Sequence, residues 1–179
     1  HIGGLVPVPA IVAAFGPRHH DLRRIVRAHV GLTHKDPEVL EAADTLVRLL
    51  VKAGAEVQVI MTPSARDFIT PLTLSTLSKR PVLTTYLDGD TGSWNNHVEL
   101  AAWADLFLIA PLSATTLSRM ANGSCDNLLL AVYLSAKCPV MTAPAMDLDM
   151  WRHAATVDNI NRIRHHGVHI IQPATGELA

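Results

Sequence analysis

The chain has 179 residues, of which 49% are hydrophobic and 17% charged, and this suits one globular domain with a substantial core. Its 15 basic and 16 acidic residues give a formal net charge of -1 at pH 7, which provides no electrostatic attraction for nucleic acid or an anionic membrane. Two cysteines are too few for a disulfide framework, and free thiols favour a reducing, cytoplasmic location. The longest apolar runs, such as LFLIAPL at 106–112, are too short to span a bilayer.

The chain has ten histidines, which raises the question of a metal site. Two pairs are adjacent, at 19–20 and 165–166, and adjacent residues do not share a helix face. Neither pair has a cysteine or carboxylate nearby at the spacing of a zinc site. We therefore predict no metal site and interpret these histidines as exposed side chains.

Residues 1–35 show little regular pattern. Pro7 and Pro9 interrupt their apolar stretch. RRIVRAHVGLT, at 23–33, is a candidate for the first strand of a sheet. We predict a divergent N-terminal segment at 1–35, which includes this candidate strand, and one domain at 36–179.

The pattern becomes clear from residue 36. Asp36 is suited to cap a helix, Pro37 to open it and Gly54 to follow its end. The apolar residues between them recur at helical spacing. EVQVIM, at 56–61, follows as a strand. Helix, tight turn and strand together are half of a βαβ unit.

The later elements alternate between helices and short apolar strands. In chain order they are one or two short helices at 64–78 broken at Pro71, an extended piece at 81–87, a loop at 88–96, a helix at 97–105, a strand at 106–111, a helix at 126–136, a strand at 139–144, and the helical stretch ATVDNINRIRHHG before a strand at 168–173. Strands without polar alternation are typical of a parallel sheet covered by helices. We predict an α/β fold, a three-layer, doubly wound, Rossmann-like (flavodoxin-like) parallel sheet.

Ligands of open parallel sheets bind beyond the carboxyl ends of the strands. Three segments at such ends share small residues and hydroxyls, namely TPSA from 62, PLSATT from 111 and APAMDLDMW from 143. Hydroxyls and free amides at helix starts suit a phosphate or the polar edge of a ring. For each hydroxyl alone, a helix cap is the simpler interpretation, but three such segments at one edge favour a nucleotide-like ligand. The side chains concerned are Thr62, Ser64, Ser113, Thr115 and Thr116.

The segment APAMDLDMW also carries two carboxylates. A buried strand ends at Pro144, and either Asp147 or Asp149 caps the helix that follows. We do not interpret these two carboxylates as a general acid and base pair.

His97 begins a predicted helix after a polar loop. Histidine transfers protons readily near neutral pH, so His97 is a candidate catalytic residue, although an exposed histidine at a helix start is the simpler interpretation. The chain lacks the patterns Gly-x-Gly-x-x-Gly, Gly-x-x-x-x-Gly-Lys and Gly-x-Ser-x-Gly. Their absence argues against dinucleotide, P-loop and hydrolase sites.

Four motifs together resemble one known family. They are HVEL from 97, PLSATT from 111, GSCDNLL from 123 and PAMDLDMW from 144. Their order and spacing resemble the flavin-dependent cysteine decarboxylases, a family that includes the phosphopantothenoylcysteine decarboxylases of coenzyme A biosynthesis. The resemblance runs from about Ala42 to Ala179.

The resemblance implies a subunit that binds FMN between neighbouring subunits of a trimer, sometimes assembled into a dodecamer. It implies the decarboxylation of 4'-phosphopantothenoylcysteine to 4'-phosphopantetheine, in which FMN supplies the redox chemistry. The expected partners are a small-molecule substrate and further copies of the chain, with no nucleic acid and no membrane.

The resemblance also implies roles for individual residues. His97 matches the catalytic histidine of the family, and Asp147 and Met150 match its substrate-binding segment. The residues that match its flavin-binding segments are Thr62, Ser64, Phe68, Ser113, Ala114, Thr115, Thr116 and Ala145.

The chain departs from the family pattern at several places. A Gly-Ser-Ile-Ala-Ala turn that grips the FMN phosphate is replaced by LTHKDPEVLE, at 32–41. Thr115 and Asp147 each stand where the family usually has Asn. A carboxylate at position 147 would repel a substrate carboxylate, so Asp147 must be protonated, turned away or matched to another contact. The cysteine-bearing flap of the family is expected beyond Ala179.

Two other interpretations stay open. A flavin-binding or regulatory subunit of the same fold, without turnover, fits the altered N-terminal turn. A peptidyl-cysteine decarboxylase or a flavin prenyltransferase shares the fold, although no basic cluster for a prenyl phosphate accompanies these motifs. We interpret Cys125 and Cys138 as buried thiols and not as catalytic groups.

Overall fold

The computed structural model describes residues 27–33, 37–67, 69–87 and 92–171. Five strands in these ranges form one sheet in which every neighbouring pair is parallel. Their order across the sheet is β2-β1-β3-β4-β5, and their bounds are β1 Arg27–Leu32, β2 Glu56–Met61, β3 Leu106–Leu112, β4 Val140–Pro144 and β5 His169–Ile170. The predicted doubly wound, flavodoxin-like α/β fold is therefore confirmed.

Helices cover both faces of this sheet. Their bounds are α1 Pro37–Lys52, α2 Pro71–Ser78, α3 His97–Trp103, α4 Ala114–Ala121, α5 Leu128–Ser135, α6 Leu148–Arg152 and α7 Ala154–His165, with a 3-10 helix at Pro63–Asp67. α1 and α2 contribute to the core on one face, and α3, α4, α5 and α7 contribute to the core on the other. Within the described ranges, none of these helices combines the length and apolarity that a membrane span needs.

Local sequence signals account for α1. Leu46, Val47 and Leu50 recur at helical spacing and are buried in the core beneath the sheet. Gly54, just beyond the end of the helix, has a φ of 96°, a left-handed conformation that glycine adopts at low cost. The predicted start at Pro37 is confirmed, whereas the predicted cap, Asp36, lies outside the described residues.

β3 forms the centre of both cores. All seven of its residues are buried. Leu106 and Leu108 face the core that contains α1 and α2, while Phe107 and Ile109 face the core that contains α4 and α5. Because both faces of the strand are covered, its sequence shows no polar alternation.

The chain between β2 and α3 is less regular than the sequence predicts. The predicted helical region at 64–78 contains the 3-10 helix and α2, and Pro71 starts α2 after its cap, Thr70. The predicted extended piece at 81–87 forms only isolated bridges, at Leu83 and at Leu87. The bridge from Leu83 to Ile60 holds the piece beside β2, whereas the bridge from Leu87 pairs with Trp94, outside the sheet.

β1 lies within the predicted N-terminal segment, at the candidate strand 23–33. It pairs with β2 on one side and with β3 on the other, so β2 and the later strands lie on opposite sides of β1. Open parallel sheets bind ligands at this topological switch point, beyond the carboxyl ends of the two strands. The proposed boundary between 35 and 36 stays a prediction, since 1–26 and 34–36 lie outside the described residues.

Candidate functional site

Hydrogen bonds join the carboxyl ends of four neighbouring strands. From β2 to β4 they are Thr62 N to Leu32 O (2.9 Å), Ser113 N to Thr33 Oγ1 (2.8 Å) and Ala145 N to Leu112 O (3.0 Å). This line crosses the switch point between β1 and β3. The three polar segments that the sequence predicts at one edge therefore lie there side by side.

Thr62 contributes a buried hydroxyl to this edge. Only 7% of the residue is exposed, and its Oγ1 has no hydrogen-bond partner among the described residues. Leaving a buried hydroxyl unpaired costs about 1–3 kcal/mol, so a ligand atom that pairs with it would remove a penalty. Ser64 is half-buried in the 3-10 helix that follows. Phe68, the third residue of the predicted flavin contact, lies outside the described residues.

Ser113 caps α4, as the helix-cap interpretation of its hydroxyl predicts. Its Oγ accepts a hydrogen bond from Thr116 N and donates one to Thr116 Oγ1, each at 3.3 Å. The two side chains therefore satisfy each other. Ala114 and Thr115 occupy the first two positions of the helix, where backbone amides have no acceptor within the helix. These amides are free to bind a ligand and benefit from the helix dipole.

Asp147 caps α6, which decides between the two candidate caps. Its Oδ1 accepts a hydrogen bond of 2.8 Å from Met150 N, whereas Asp149 is exposed in the first turn. Ala145 and Met146, just before it, are buried. Asp147 itself is half-buried and Met150 is exposed, so this segment passes from the core to the surface at the carboxyl edge.

His97 is the first residue of α3. Asn96 caps the helix by accepting a hydrogen bond of 3.0 Å from Val98 N. α3 directly precedes β3 in the chain and runs antiparallel to it. The first residue of α3 therefore lies toward the carboxyl edge of the sheet. The Nδ1 atom of His97 is buried and has no hydrogen-bond partner in the described part of the chain. A buried, unpaired imidazole nitrogen on this side of the sheet is available to a ligand.

Tyr86 packs against His97, a contact that our sequence analysis missed. Its ring meets the His97 ring edge-on, with centroids 6.1 Å apart, and stacks on Trp94 at 5.7 Å. Its hydroxyl donates to Asn127 O at 3.3 Å and lies 4.0 Å from the Cys125 thiol. Burial, together with the Cys125 thiol, raises the pKa of Tyr86 above its ordinary value. With aromatic residues making up only 4% of the chain, two of them beside a candidate histidine would have been a usable signal.

The predicted site residues form two groups in the structure. One group follows the sheet edge from Thr62 through Ser113 to Ala145, and the other consists of His97 with its aromatic neighbours. In the described ranges, no hydrogen bond or ring contact joins His97 directly to Ser113 or Asp147. A ligand that contacts both groups must therefore extend from the sheet edge to the start of α3.

The two cysteines lie in different places. The interpretation of Cys125 as a buried thiol is wrong, since this residue is exposed beside Tyr86. Cys138 is half-buried just before β4, at the opposite edge of the sheet. Burial raises the pKa of the Cys138 thiol, which keeps it protonated and unreactive at neutral pH. Across the described ranges, no three His, Cys, Asp or Glu side chains are grouped as metal ligands. The absence of a metal site in the whole chain stays a prediction.

A cavity of about 340 Å³ also lies at that opposite edge. It is lined by apolar side chains such as Met120 and Val140, together with Tyr133 and Cys138. It contains none of the predicted site residues and lies on the wrong side of the sheet for a switch-point ligand. We therefore assign the candidate site to the carboxyl edge.

Comparisons with known proteins find related sequences and structures. The Flavoprotein family model matches residues 39–179. A Cysteine/Cysteine sulfinic acid decarboxylase from an unknown prokaryotic organism is 57% identical over 111 residues, which cover 62% of this chain and 31% of that protein. The Coenzyme A biosynthesis bifunctional protein CoaBC from Vibrio vulnificus (strain YJ016) is 46% identical over 134 residues, which cover 75% of this chain and 33% of that protein. The chain spans about a third of the length of the curated relatives it matches.

Solved structures share the whole fold. The FMN-dependent cysteine decarboxylase TvaF from thioviridamide biosynthesis superimposes with a TM-score of 0.74 at 31% sequence identity. The match covers 81% of this chain and 88% of that one. The parallel sheet and its helices are therefore arranged alike in the two proteins.

Proposed function

This chain belongs to the Flavoprotein family, and from that premise we propose that it is an FMN-dependent carboxy-lyase acting on a cysteine-bearing small molecule. One observation carries the proposal. The Thr62 hydroxyl, which is buried and has no partner among the described residues, and the first amides of α4, which have no acceptor within the helix, lie on either side of the β1 and β3 switch point. The names of the decarboxylase relatives support the same reaction class.

The residues present at this edge fit a flavin. The Thr62 hydroxyl lacks a partner that a polar ring edge supplies, and the amides of Ala114 and Thr115 suit an anionic or carbonyl oxygen. Ala114 and Ala145 add only small side chains to this edge. The residues proposed to hold FMN are Thr62, Ser64, Phe68, Ser113, Ala114, Thr115, Thr116 and Ala145.

FMN, when bound, supplies the redox chemistry that makes loss of carbon dioxide from a cysteine carboxylate feasible. The chain supplies binding, orientation and proton transfer. We assign proton transfer to His97, whose ring is held by Tyr86 and whose Nδ1 has no protein partner in the described ranges. Asp147 and Met150, at the start of α6, are assigned to the substrate.

The first candidate substrate is 4'-phosphopantothenoylcysteine, which would yield 4'-phosphopantetheine for coenzyme A biosynthesis. Similarity to CoaBC over 75% of this chain supports it. The chain would then act in the cytoplasm, where that pathway supplies the substrate.

The second candidate substrate is cysteine with a free amino group. It is favoured by the side chain of Asp147, because a carboxylate attracts the ammonium group of free cysteine and repels the carboxylate that both substrates carry. An acylated cysteine has no ammonium group to offset that repulsion. The 57% identity to a Cysteine/Cysteine sulfinic acid decarboxylase supports the same candidate.

A single series of assays tests the proposal. The chain is titrated with FMN, and carbon dioxide release is then measured with each of the two substrates. We expect a yellow complex and turnover with one of them, and the ratio of the two rates identifies the substrate. The variant His97→Asn should keep FMN but lose at least about 100-fold in turnover, the usual contribution of a general acid or base.

The exposed His165 near the end of α7 offers a matched control, since His165→Asn makes the same change far from the site. Absence of FMN binding would contradict the proposal. FMN binding without carbon dioxide release would favour the flavin-binding or regulatory subunit. Release of carbon dioxide only from a cysteine-terminated peptide, or prenylation of the flavin, would instead identify one of the related enzymes of this fold.

A further inference from the structure

We infer that Thr33 is a positioning residue, whose hydroxyl fixes the turn between β3 and α4 and thereby the ligand-binding start of that helix. Thr33 directly follows β1, and only 4% of it is exposed. Its Oγ1 donates a hydrogen bond to Pro111 O at 2.9 Å and accepts one from Ser113 N at 2.8 Å. The inference rests on the proposed function, because it concerns the same ligand site.

The sheet geometry explains why this hydroxyl is needed. The paired register between β1 and β3 ends at Gly31 and Ile109. β3 also changes register against β4 between Ile109 and Leu112, so its last residues leave the regular ladder. Pro111 O and Ser113 N would otherwise lie unpaired at the edge of a buried strand. The Thr33 side chain replaces the missing ladder bonds with one donor and one acceptor.

This arrangement limits which groups can meet a ligand. The Ser113 amide is occupied by Thr33, whereas the Ser113 hydroxyl, although hydrogen-bonded to Thr116, keeps one lone pair for a ligand. The turn therefore presents the amides of Ala114 and Thr115 to the ligand, and it presents them in a fixed direction. Loss of the Thr33 hydroxyl frees the Ser113 amide and loosens the turn that aims the other two.

These two hydrogen bonds require a side-chain hydroxyl close to the backbone. Valine has the shape of threonine but neither donates nor accepts, so Thr33→Val leaves two buried groups unpaired. Serine retains the hydroxyl, so Thr33→Ser should keep both bonds. Thr142→Val is a matched control, because Thr142 is also fully buried and its Oγ1 has no partner among the described residues.

The test compares these three variants with the unmodified chain. FMN affinity is measured by quenching of flavin fluorescence, and amide hydrogen exchange is measured by mass spectrometry for peptides spanning 111–117 without flavin. We expect Thr33→Val to weaken the affinity for FMN by about tenfold or more, which corresponds to the free-energy cost of one unpaired buried group. We also expect it to speed amide exchange in these peptides. Thr33→Ser should lie within about threefold of the unmodified chain in both measurements, and Thr142→Val should not differ.

The outcomes separate this inference from the proposed function. Equal FMN affinity or equal exchange for Thr33→Val and the unmodified chain would overturn the inference, as would a Thr33→Ser variant that behaves like Thr33→Val. If the unmodified chain does not bind FMN, the proposed function fails, while the exchange measurement still decides whether Thr33 fixes the turn. If Thr33→Val does not fold, Thr33→Ala replaces it in the same comparison, since the smaller side chain leaves space for water to reach Pro111 O and Ser113 N.

Discussion

His29 is a buried histidine that the candidate site does not use. It lies in β1 with only 1% of its surface exposed, and its ring packs between Trp103 at 5.2 Å and Phe107 at 5.6 Å. Its Nε2 lies 2.7 Å from Leu100 O, and since a carbonyl only accepts, Nε2 carries the hydrogen. The neutral ring thus ties β1 to the end of α3.

Burial makes His29 sensitive to acid. It lowers the pKa of the ring, the carbonyls of Leu100 and Gln58 partly oppose this, and the positive charge of Arg80 lowers the pKa further. The unfolded chain therefore binds a proton at a higher pH than the folded chain does.

We expect the free energy of unfolding to fall as the pH drops below about 6.5, the pKa of a histidine in an unfolded chain, toward the lower pKa of folded His29. His29→Leu cannot titrate, so its stability should change less over this range, although it should be less stable at pH 7.5 because Leu100 O loses its donor. Urea unfolding at several pH values measures both effects. His165→Leu provides the control at an exposed position, and an equal pH dependence in the His29 variant and the unmodified chain would refute the assignment.

At the scale of elements, α5 packs closely on the sheet at Gly31. A Cβ atom at this position in β1 would lie 3.0 Å from Leu129 Cδ1 in α5 and 3.3 Å from side-chain atoms of Ile109 and Phe107. The absent side chain therefore lets α5 pack directly on the centre of the sheet.

Gly31→Val should destabilise the fold by about 1–3 kcal/mol, because the added methyl groups overpack this contact. The double variant Gly31→Val with Leu129→Ala removes the nearest atoms. We expect its loss of stability to be smaller than the sum of the two single losses, as measured by denaturant unfolding in a double-mutant cycle. Additive losses would mean that the contact between Gly31 and Leu129 does not limit the packing.

The elements that the sequence predicts well are those with local causes. α1 and β2 follow from helix spacing, a proline start, a glycine end and an apolar strand pattern, all within a few residues of each other. The contacts made by residues 81–87 and 92–96 could not be predicted, because they depend on a bridge from Leu83 to Ile60 and on the stacking of Tyr86 and Trp94. Such contacts leave no periodic pattern in the sequence.

The candidate site shows the same limit. Its edge and its cap residues could be predicted, because hydroxyls that follow apolar strands are visible in the sequence. Thr33 could not be predicted, since the groups it binds are 78 and 80 positions further along the chain. The sequence also suggested that the amides at this helix start are free, whereas the Ser113 amide is occupied.

At the scale of the whole molecule, an exposed apolar patch lies beside the proposed catalytic histidine. Leu87, Trp94 and Val98 are 56%, 59% and 54% exposed, and Leu87 bridges Trp94 through the backbone. Exposed apolar surface that is this extensive beside a site commonly marks an interface. We expect copies of the chain to associate through this patch if they form the predicted trimer or dodecamer.

Leu87→Asp should therefore shift the chain toward the monomer, because an interface disfavours a buried, unpaired carboxylate. Leu72→Asp makes the same change at a 74% exposed leucine on α2, on the other face of the sheet, and should leave the assembly intact. Size-exclusion chromatography with multi-angle light scattering measures the mass, and absorbance in the same run measures bound flavin. A monomeric unmodified chain, or equal masses for the two variants, would exclude this interface.

The turns that lead from helices into strands lie at the edge of the sheet remote from the ligand. Gly54 before β2 and Gly167 before β5 both occupy such turns, and both are exposed with left-handed backbones. Surface turns of this kind tolerate insertions better than packed elements do. They are therefore the positions at which a fluorophore, an affinity tag or a surface linker can report on the chain without touching its chemistry.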